Sequence, residues 1–203
     1  MQYGDNMTEK KRARAELLFQ TFGPVLKTGT LREHRIFNRD IAELLDDGDI
    51  QKLKTGYYIW NATASDISDI GTIAVLIPFG IICLQSAAHY HELTTLNPLA
   101  ITVAIPANRT RITLPDHPPV ELIAYPLPSF KLGVTEADPN VRIYDRERTV
   151  CDFFSKRQQL GEDLALDIMQ TYMRGTRNLQ KLFDYAGTLR IKGVIKPYVE
   201  ALT

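Results

Sequence analysis

Residues 27–60 read KTGTLREHRIFNRDIAELLDDGDIQKLKTGYYIW, and this stretch decides the N-terminal fold. The pattern predicts a short helix over 28–34 and a second helix that begins at Asn38, whose side chain is a good N-cap. Apolar residues follow at helical spacing and give the second helix one apolar face: Ile41, Leu44 and Leu45. Gly48 is the residue type that commonly ends a helix.

A β-hairpin is predicted directly after this helix. Residues 50–53 alternate between apolar and polar, Thr55-Gly56 suits a turn, and residues 57–60 are Tyr-Tyr-Ile-Trp. Two helices joined by a turn and followed by a hairpin make a winged helix-turn-helix, whose second helix enters the major groove of DNA. With a further helix over 8–22, which carries Leu17 and Leu18 as core residues, residues 1–60 are predicted to form a DNA-binding domain.

The composition limits the classes of function. The 203 residues carry 24 Lys and Arg against 24 Asp and Glu, so the formal net charge is zero. A strongly basic coat for non-specific nucleic-acid binding is thereby excluded, and DNA binding requires a local basic patch. Cys83 and Cys151 lie in apolar patterns and are interpreted as reduced core residues. The N-terminus is polar, and the longest apolar run, residues 73–84, is too short to span a bilayer. Both features favour a cytoplasmic protein.

The remainder of the chain, residues 61–203, is predicted to form a second domain. Residues 61–66 are small and polar and suit a linker, and helical patterns follow over 65–77 and 79–92. Strands are predicted at 99–105, 120–125 and 141–144, and four helices at 146–158, 162–173, 176–187 and 191–202. The predicted fold class is α+β: a winged helix-turn-helix domain, then an α+β domain with a small sheet and a C-terminal helical bundle.

Basic and polar residues surround the start of the predicted recognition helix, which is the part that meets bases. Candidate base readers are Arg35, Asn38 and Arg39, because Arg suits guanine and Asn suits adenine. Candidate phosphate contacts are Lys10, Lys11, Arg12, Arg14, Lys27, Arg32, Lys52 and Lys54. The acidic residues of the same region are expected to point away from DNA: Asp40, Glu43, Asp46, Asp47 and Asp49. The alternative is that all these charges only solvate a helical face.

Patterns for enzyme chemistry are weak. His89 and His91 are two residues apart on a predicted helix and diverge, whereas zinc-binding helices use spacings of three or four, so a role at a helix end is favoured. Arg148 and Asp152 are four apart and are predicted to form a structural pair. The sequence contains no glycine-rich phosphate loop, Ser–His–Asp pattern or nucleotide fingerprint. We therefore expect no catalytic residue, metal or cofactor.

Several segments together resemble the AbiEi antitoxins of type IV toxin–antitoxin systems, over about residues 25–203. The most specific are Gly-Tyr-Tyr at 56–58, Ile-Cys-Leu-Gln-Ser at 82–86, Arg-Thr-Val-Cys-Asp at 148–152 and Gly-Glu-Asp-Leu-Ala at 161–165. The resemblance implies that the N-terminal domain binds inverted repeats in its own promoter and represses the operon. It also implies that the C-terminal domain counteracts a nucleotidyltransferase toxin, without a stable complex between the two proteins.

The chain departs from the family pattern at Asp40 and Glu43, where related recognition helices often carry polar or basic residues. This departure shifts the expected base contacts to the start of the helix, at Asn38 and Arg39. Two other functions stay open. One is a stand-alone transcription regulator whose second domain senses a ligand, and the other is an enzyme that reverses the toxin's product or modifies the toxin.

Overall fold

The computed structural model describes residues 9–109 and 111–202, and the fold is mixed α+β, as predicted. The chain divides into two compact units. The first extends to Leu76 and also holds Thr113–His117, and the second holds Ile77–Ile112 and Pro118–Thr203. Residues 61–76, assigned to the second domain from composition, thus fall within the first unit.

The first unit alternates helices with a small antiparallel sheet. Its elements are α1 (Glu9–Phe22), β1 (Val25–Lys27), α2 (Thr28–Glu33), α3 (Asn38–Asp46), β2 (Ile50–Lys54) and β3 (Tyr57–Trp60). A 3-10 helix (Asn61–Asp66) and α4 (Asp69–Leu76) follow. The strand order is β1-β3-β2, with Val25 and Gln51 both opposite Ile59. The predicted hairpin is therefore present, and the predicted linker is a 3-10 helix.

The core of the first unit forms where α1, α2 and α3 pack against the sheet. Its buried members include Ala15, Leu18, Phe19, Leu31, Ile36, Ile41, Leu44, Ile50 and Trp60. Leu18 was predicted correctly, but the prediction for Leu17 was wrong, since 60% of that side chain is exposed. Ala15, Leu18 and Phe19 form the buried stripe of α1 at helical spacing, which turns Leu17 toward solvent.

The second unit contains a five-stranded sheet and a set of helices. The strands are β4 (Ile81–Ile82), β5 (Ile101–Pro106), β6 (Val120–Tyr125), β7 (Val134–Asp138) and β8 (Val141–Tyr144). The helices are α5 (Leu84–Tyr90), α6 (Leu127–Phe130), α7 (Arg146–Ser155), α8 (Arg157–Leu160), α9 (Glu162–Arg174), α10 (Leu179–Thr188) and α11 (Lys192–Ala201). The strand order is β6-β5-β4-β8-β7; β5 pairs with β6 and β4 with β8 in parallel, and the other pairs are antiparallel.

Two strands of this sheet, β4 and β7, were not predicted from the sequence. The prediction of one helix over 79–92 was wrong, because this segment holds the two-residue β4 before the shorter α5. Strand β7 reads VTEAD and is mostly exposed at the edge of the sheet, so it lacks the apolar alternation of a half-buried strand. Both strands exist because β8 lies between them and pairs with each.

The predicted C-terminal helices are present and cover a single apolar core. Val150, Cys151, Phe154, Ile168 and Tyr172 are all buried in it, and they recur at helical spacing along α7 and α9. Both cysteines are free and buried, which confirms their interpretation as core residues. Among the residues described, no helix combines the length and the apolar character needed to cross a membrane.

Candidate nucleic-acid interface and buried charge network

Helix α3 is capped differently from the prediction. Its N-cap is Phe37, and the backbone N–H of Phe37 donates to Asp40 Oδ2 at 2.9 Å. Asn38 is the first helical residue, and its Oδ1 accepts a hydrogen bond from Arg32 Nη2 at 2.9 Å. The prediction of Asn38 as the N-cap was therefore wrong: the acidic residue at the third helical position satisfies the N-cap N–H instead.

One face of α3 is exposed to solvent. Asn38, Arg39, Ala42 and Asp46 are exposed, whereas Ile41 and Leu44 are buried on the opposite side. Asn38 and Arg39 both lie one turn before Ala42, so these three residues share a surface. A surface with two hydrogen-bonding side chains and one small side chain suits close approach to base edges.

Two of the acidic residues in this region are held by basic residues of α1. Lys11 Nζ lies 2.7 Å from Asp40 Oδ1, and Arg12 forms an ion pair with Asp49. Burial raises the pKa of Asp40, but the hydrogen bonds from Lys11 and the Phe37 N–H outweigh it and lower the pKa overall. Lys11 and Arg12, predicted as phosphate contacts, thus pair with carboxylates inside the unit.

Two predicted base readers and one predicted phosphate contact lie close together in sequence and are all exposed: Arg32, Arg35 and Arg39. Arg35 occupies the turn between α2 and α3 with φ of 64°, a left-handed conformation that is uncommon for a residue with a side chain. Arg39 Nε lies 3.3 Å from Glu43 Oε1 along the same helix. Arg32, bonded to Asn38, links the end of α2 to the start of α3.

The two lysines of the hairpin have different surroundings. Lys52 is exposed, whereas Lys54 Nζ donates to the carbonyl oxygen of Leu76 at 2.7 Å and of Thr113 at 3.3 Å. Burial and the nearby charge of Lys27 lower the pKa of Lys54. Lys54 is therefore engaged by the protein itself, while the remaining predicted phosphate contacts are exposed: Lys10, Arg14 and Lys27.

An exposed aromatic residue beside this surface was missed by the sequence analysis. Phe37 directly precedes Asn38, and 55% of its side chain is exposed. Its hydrophobic character could have been considered from the sequence, because Ile36 and Phe37 are the two apolar residues among the otherwise polar residues 32–40.

In the second unit, the motif DRERTVCD at 145–152 builds a buried charge network at the start of α7. Asp145 caps the helix by accepting from the Arg148 N–H at 2.8 Å, and its other oxygen accepts from Tyr185 Oη at 3.0 Å. Lys181 Nζ lies 3.0 Å from Asp145 and 3.4 Å from Glu147. Glu147 also accepts from Tyr172 Oη at 3.1 Å. These contacts tie α7 to α9 and α10.

The same motif fixes the end of α5. Arg146 Nη1 donates to the carbonyl oxygen of His91 at 2.6 Å, and His91 Nε2 lies 2.7 Å from the carbonyl oxygen of Tyr144. His91 is the C-cap of α5, and the predicted role at a helix end is confirmed. Burial lowers the pKa of His91, although its hydrogen bond to Tyr144 acts in the opposite direction.

Arg148 and Asp152 form the predicted pair, and both side chains are almost fully buried. Arg148 Nε donates to Asp152 Oδ1 at 2.8 Å, and Tyr125 Oη donates to the other carboxylate oxygen at 3.0 Å. Burial raises the pKa of Asp152, while its contacts with Arg148 and Tyr125 act against that rise. The guanidinium carbon of Arg148 lies 4.3 Å from the ring centroid of Tyr144, so the ring covers one face of the cation.

Comparison with known proteins adds no relative: no family model matches the chain, and no curated protein matches it. The DNA-binding function proposed below therefore rests on the geometry of the first unit.

Proposed function

We propose that the first unit is a winged helix-turn-helix that binds double-stranded DNA, with α3 as its recognition helix. The order helix, strand, helix, helix, hairpin supports this proposal, since the hairpin follows the second of two consecutive short helices. The observation that carries it is the exposed face of α3, where Asn38 and Arg39 lie beside the exposed Arg32 and Arg35.

The acidic content of the region is compatible with this assignment. Asp40 faces the interior and pairs with Lys11, and Asp49 pairs with Arg12, so neither is a free negative charge on the exposed face of α3. The exposed acidic residue of that face is Asp46, in the last turn of the helix. A recognition helix that enters the groove by its N-terminal end keeps this residue away from the phosphates.

The DNA-binding proposal is tested with the full chain, a duplex from its own promoter and a shuffled duplex of the same composition. Fluorescence anisotropy across a salt series should show tighter binding to the promoter and a linear fall of log K with log salt. Equal affinity for the two duplexes would leave only non-specific attraction, and no binding to either would refute the proposal.

At the level of the cell, we propose that the chain is a cytoplasmic autorepressor of its operon and a type IV antitoxin against a nucleotidyltransferase. This part rests on the resemblance to AbiEi antitoxins, and one of the four segments that carry it, residues 148–152, contributes to the buried network around Arg148. The partners are the operator repeats and the toxin as a functional opponent, without a stable complex. The proposal assigns no catalytic step to the chain.

Co-expression with the nucleotidyltransferase tests antitoxin activity separately from repression of the promoter. The full chain and an Asn38→Ala/Arg39→Ala variant are expressed from a foreign promoter together with the neighbouring nucleotidyltransferase. We expect both proteins to rescue growth, while only the unaltered chain represses a reporter under its own promoter. Absence of rescue by the unaltered chain would remove the antitoxin assignment and favour a stand-alone regulator.

A further inference from the structure

A cavity of about 570 Å³ in the second unit has an unusual balance of charge. Three cationic side chains line it, Arg148, Lys156 and Arg190, together with a single carboxylate, Asp152. Both oxygens of Asp152 are already engaged, one by Arg148 and the other by Tyr125. Among the described residues, neither Lys156 nor Arg190 has a carboxylate at ion-pair distance, so two positive charges around the cavity are not neutralised.

One of the lining residues, Arg148, has a buried donor without an acceptor. Arg148 is fully buried; its Nε donates to Asp152, and its Nη1 donates to the carbonyl oxygens of Ser129 and Leu132. Its Nη2 has no hydrogen-bond partner among the described residues. A buried donor without a partner is unfavourable, and more so when it belongs to a charged group. An acceptor placed beside Nη2 would remove this cost, and Arg148 is one of the residues that line the cavity.

The backbone is arranged to keep this guanidinium in place. Gly133 has φ of 73°, and a Cβ added there would lie 2.5 Å from Arg148 Cβ and 3.2 Å from Tyr185. Any side chain at residue 133 would therefore displace Arg148. The carbonyl oxygen of the preceding Leu132 accepts from Arg148 Nη1 at 2.7 Å, so the same turn makes room for the base of the Arg148 side chain and binds its guanidinium.

Arg190 reaches the cavity from a strained position. It follows α10 with φ of 59°, where a helix end usually carries glycine or asparagine, and its N–H bonds to the carbonyl oxygen of Gly187 at 3.1 Å. The left-handed conformation is unfavourable for a residue with a side chain. Such strain persists when the surrounding structure over-determines it, and it concentrates at functional sites.

We propose that this cavity binds a small molecule that carries a phosphate monoester. A dianion matches the two unneutralised cations, and guanidinium groups bind phosphate oxygens with strong, directional hydrogen bonds. Pro126, Pro128 and Leu189 provide an apolar wall for the carbon skeleton, and the volume lies in the range of small-molecule sites. The site is independent of the DNA-binding surface and does not rest on the proposed function.

Calorimetric titration of the full chain with phenyl phosphate tests the proposal, with benzoate at equal ionic strength as the carboxylate probe. We expect saturable binding of phenyl phosphate that is at least about tenfold tighter than that of benzoate, because a dianion engages more of the donors. The Lys156→Gln/Arg190→Gln variant should bind phenyl phosphate about tenfold more weakly, since it loses both unneutralised cations. The matched control is Arg174→Gln/Lys196→Gln, which removes the same charge from residues outside the cavity lining and should bind as the unaltered chain does.

Arg148 stays unaltered in this experiment because its pair with Asp152 is buried, and circular dichroism verifies that both variants fold. Equal weakening in the two variants would mean general attraction to positive charge and would overturn the proposal. If benzoate binds as tightly as phenyl phosphate, the site does not select phosphate, and the proposed ligand class is wrong. Absence of saturable binding would show that the cavity is not a site for phosphate monoesters.

Discussion

The starts of α3 and α7 carry similar residues in opposite environments. In each, an acidic side chain accepts a backbone N–H at the first turn: Asp40 for α3 and Asp145 for α7. Arg39 beside the first is exposed, whereas Arg148 beside the second is fully buried and meets a carboxylate, two carbonyl oxygens and an aromatic ring. Burial therefore separates an arginine that faces solvent at one helix start from an arginine that bonds inside the unit at the other.

The largest effect is expected from breaking the buried pair. Arg148→Ala leaves the carboxylate of Asp152 buried without its cation, and loss of one partner of such a pair costs about 3–5 kcal/mol. Urea unfolding followed by far-UV circular dichroism measures the change, because most helices belong to the second unit.

The control for this prediction removes both charges. Arg148→Met/Asp152→Leu should recover most of the lost free energy of unfolding, since apolar residues of similar size avoid an unpaired buried charge. If Arg148→Ala lowers the free energy of unfolding by less than about 1 kcal/mol, as is typical of an exposed pair, the two helix starts do not differ in the way described.

The next effect concerns DNA affinity at the exposed start of α3. Asn38→Ala and Arg39→Ala should each weaken promoter binding by about 1–3 kcal/mol and reduce the preference over a shuffled duplex, as expected for residues that contact base edges. Affinity is measured for both duplexes by anisotropy.

Stability provides the control at this surface, because exposed substitutions change the free energy of unfolding by about 0.5 kcal/mol or less. Trp60 belongs to the core of the first unit, so its fluorescence reports the unfolding of that unit. Equal losses for the promoter and the shuffled duplex would place the base contacts elsewhere.

A smaller effect, dependent on pH, is expected at the cap of α3. Asp40→Asn should reduce the stability of the first unit at pH 7 by about 1 kcal/mol, the usual scale of a helix cap. The pKa of Asp40 is lowered in the folded state, so its stabilisation is present above the unfolded value of about 3.9 and is lost as pH falls through the folded value.

The difference in stability between the unaltered chain and the Asp40→Asn variant should therefore stay constant from neutral to mildly acidic pH and shrink below about pH 4. Trp60 fluorescence during urea unfolding at several pH values measures it. Asp46→Asn, an exposed change in the same helix, should show no such pattern. A difference that grows toward low pH would contradict the assigned role of Asp40.

The smallest effect separates the two hairpin lysines. Lys52→Ala should reduce the slope of log K against log salt by about one unit, as for the loss of one phosphate contact. Lys54→Ala should change the slope less and instead weaken the unit, because the Lys54 ammonium is bound to the carbonyl oxygens of Leu76 and Thr113. Equal changes in slope for both variants would show that Lys54 leaves these carbonyl groups when DNA binds.

Much of the helical part could be predicted from the sequence because helical periodicity is local. The spacing of Ile41 and Leu44 correctly assigned their buried face, and the apolar pattern around Cys151 correctly assigned that residue to the core. The turn at Gly56 marked the hairpin. Strands β4 and β7 could not be predicted in this way, because a two-residue strand and a polar edge strand are defined by their partner β8, which is distant in sequence from β4.

The candidate sites, like the fold, could be predicted from the sequence only where they depend on residues close together in the chain. The sequence by itself determined the α+β class, the exposed polar start of α3 and the pairing of Arg148 with Asp152, since each depends on residues within a few positions of one another. Only the tertiary structure decided that Lys11 and Arg12 pair with Asp40 and Asp49, that Lys54 is bound to carbonyl groups, and that three cations surround one cavity. Charged residues that are distant in sequence are brought together by packing, and neither their spacing nor the composition of the chain predicts such contacts.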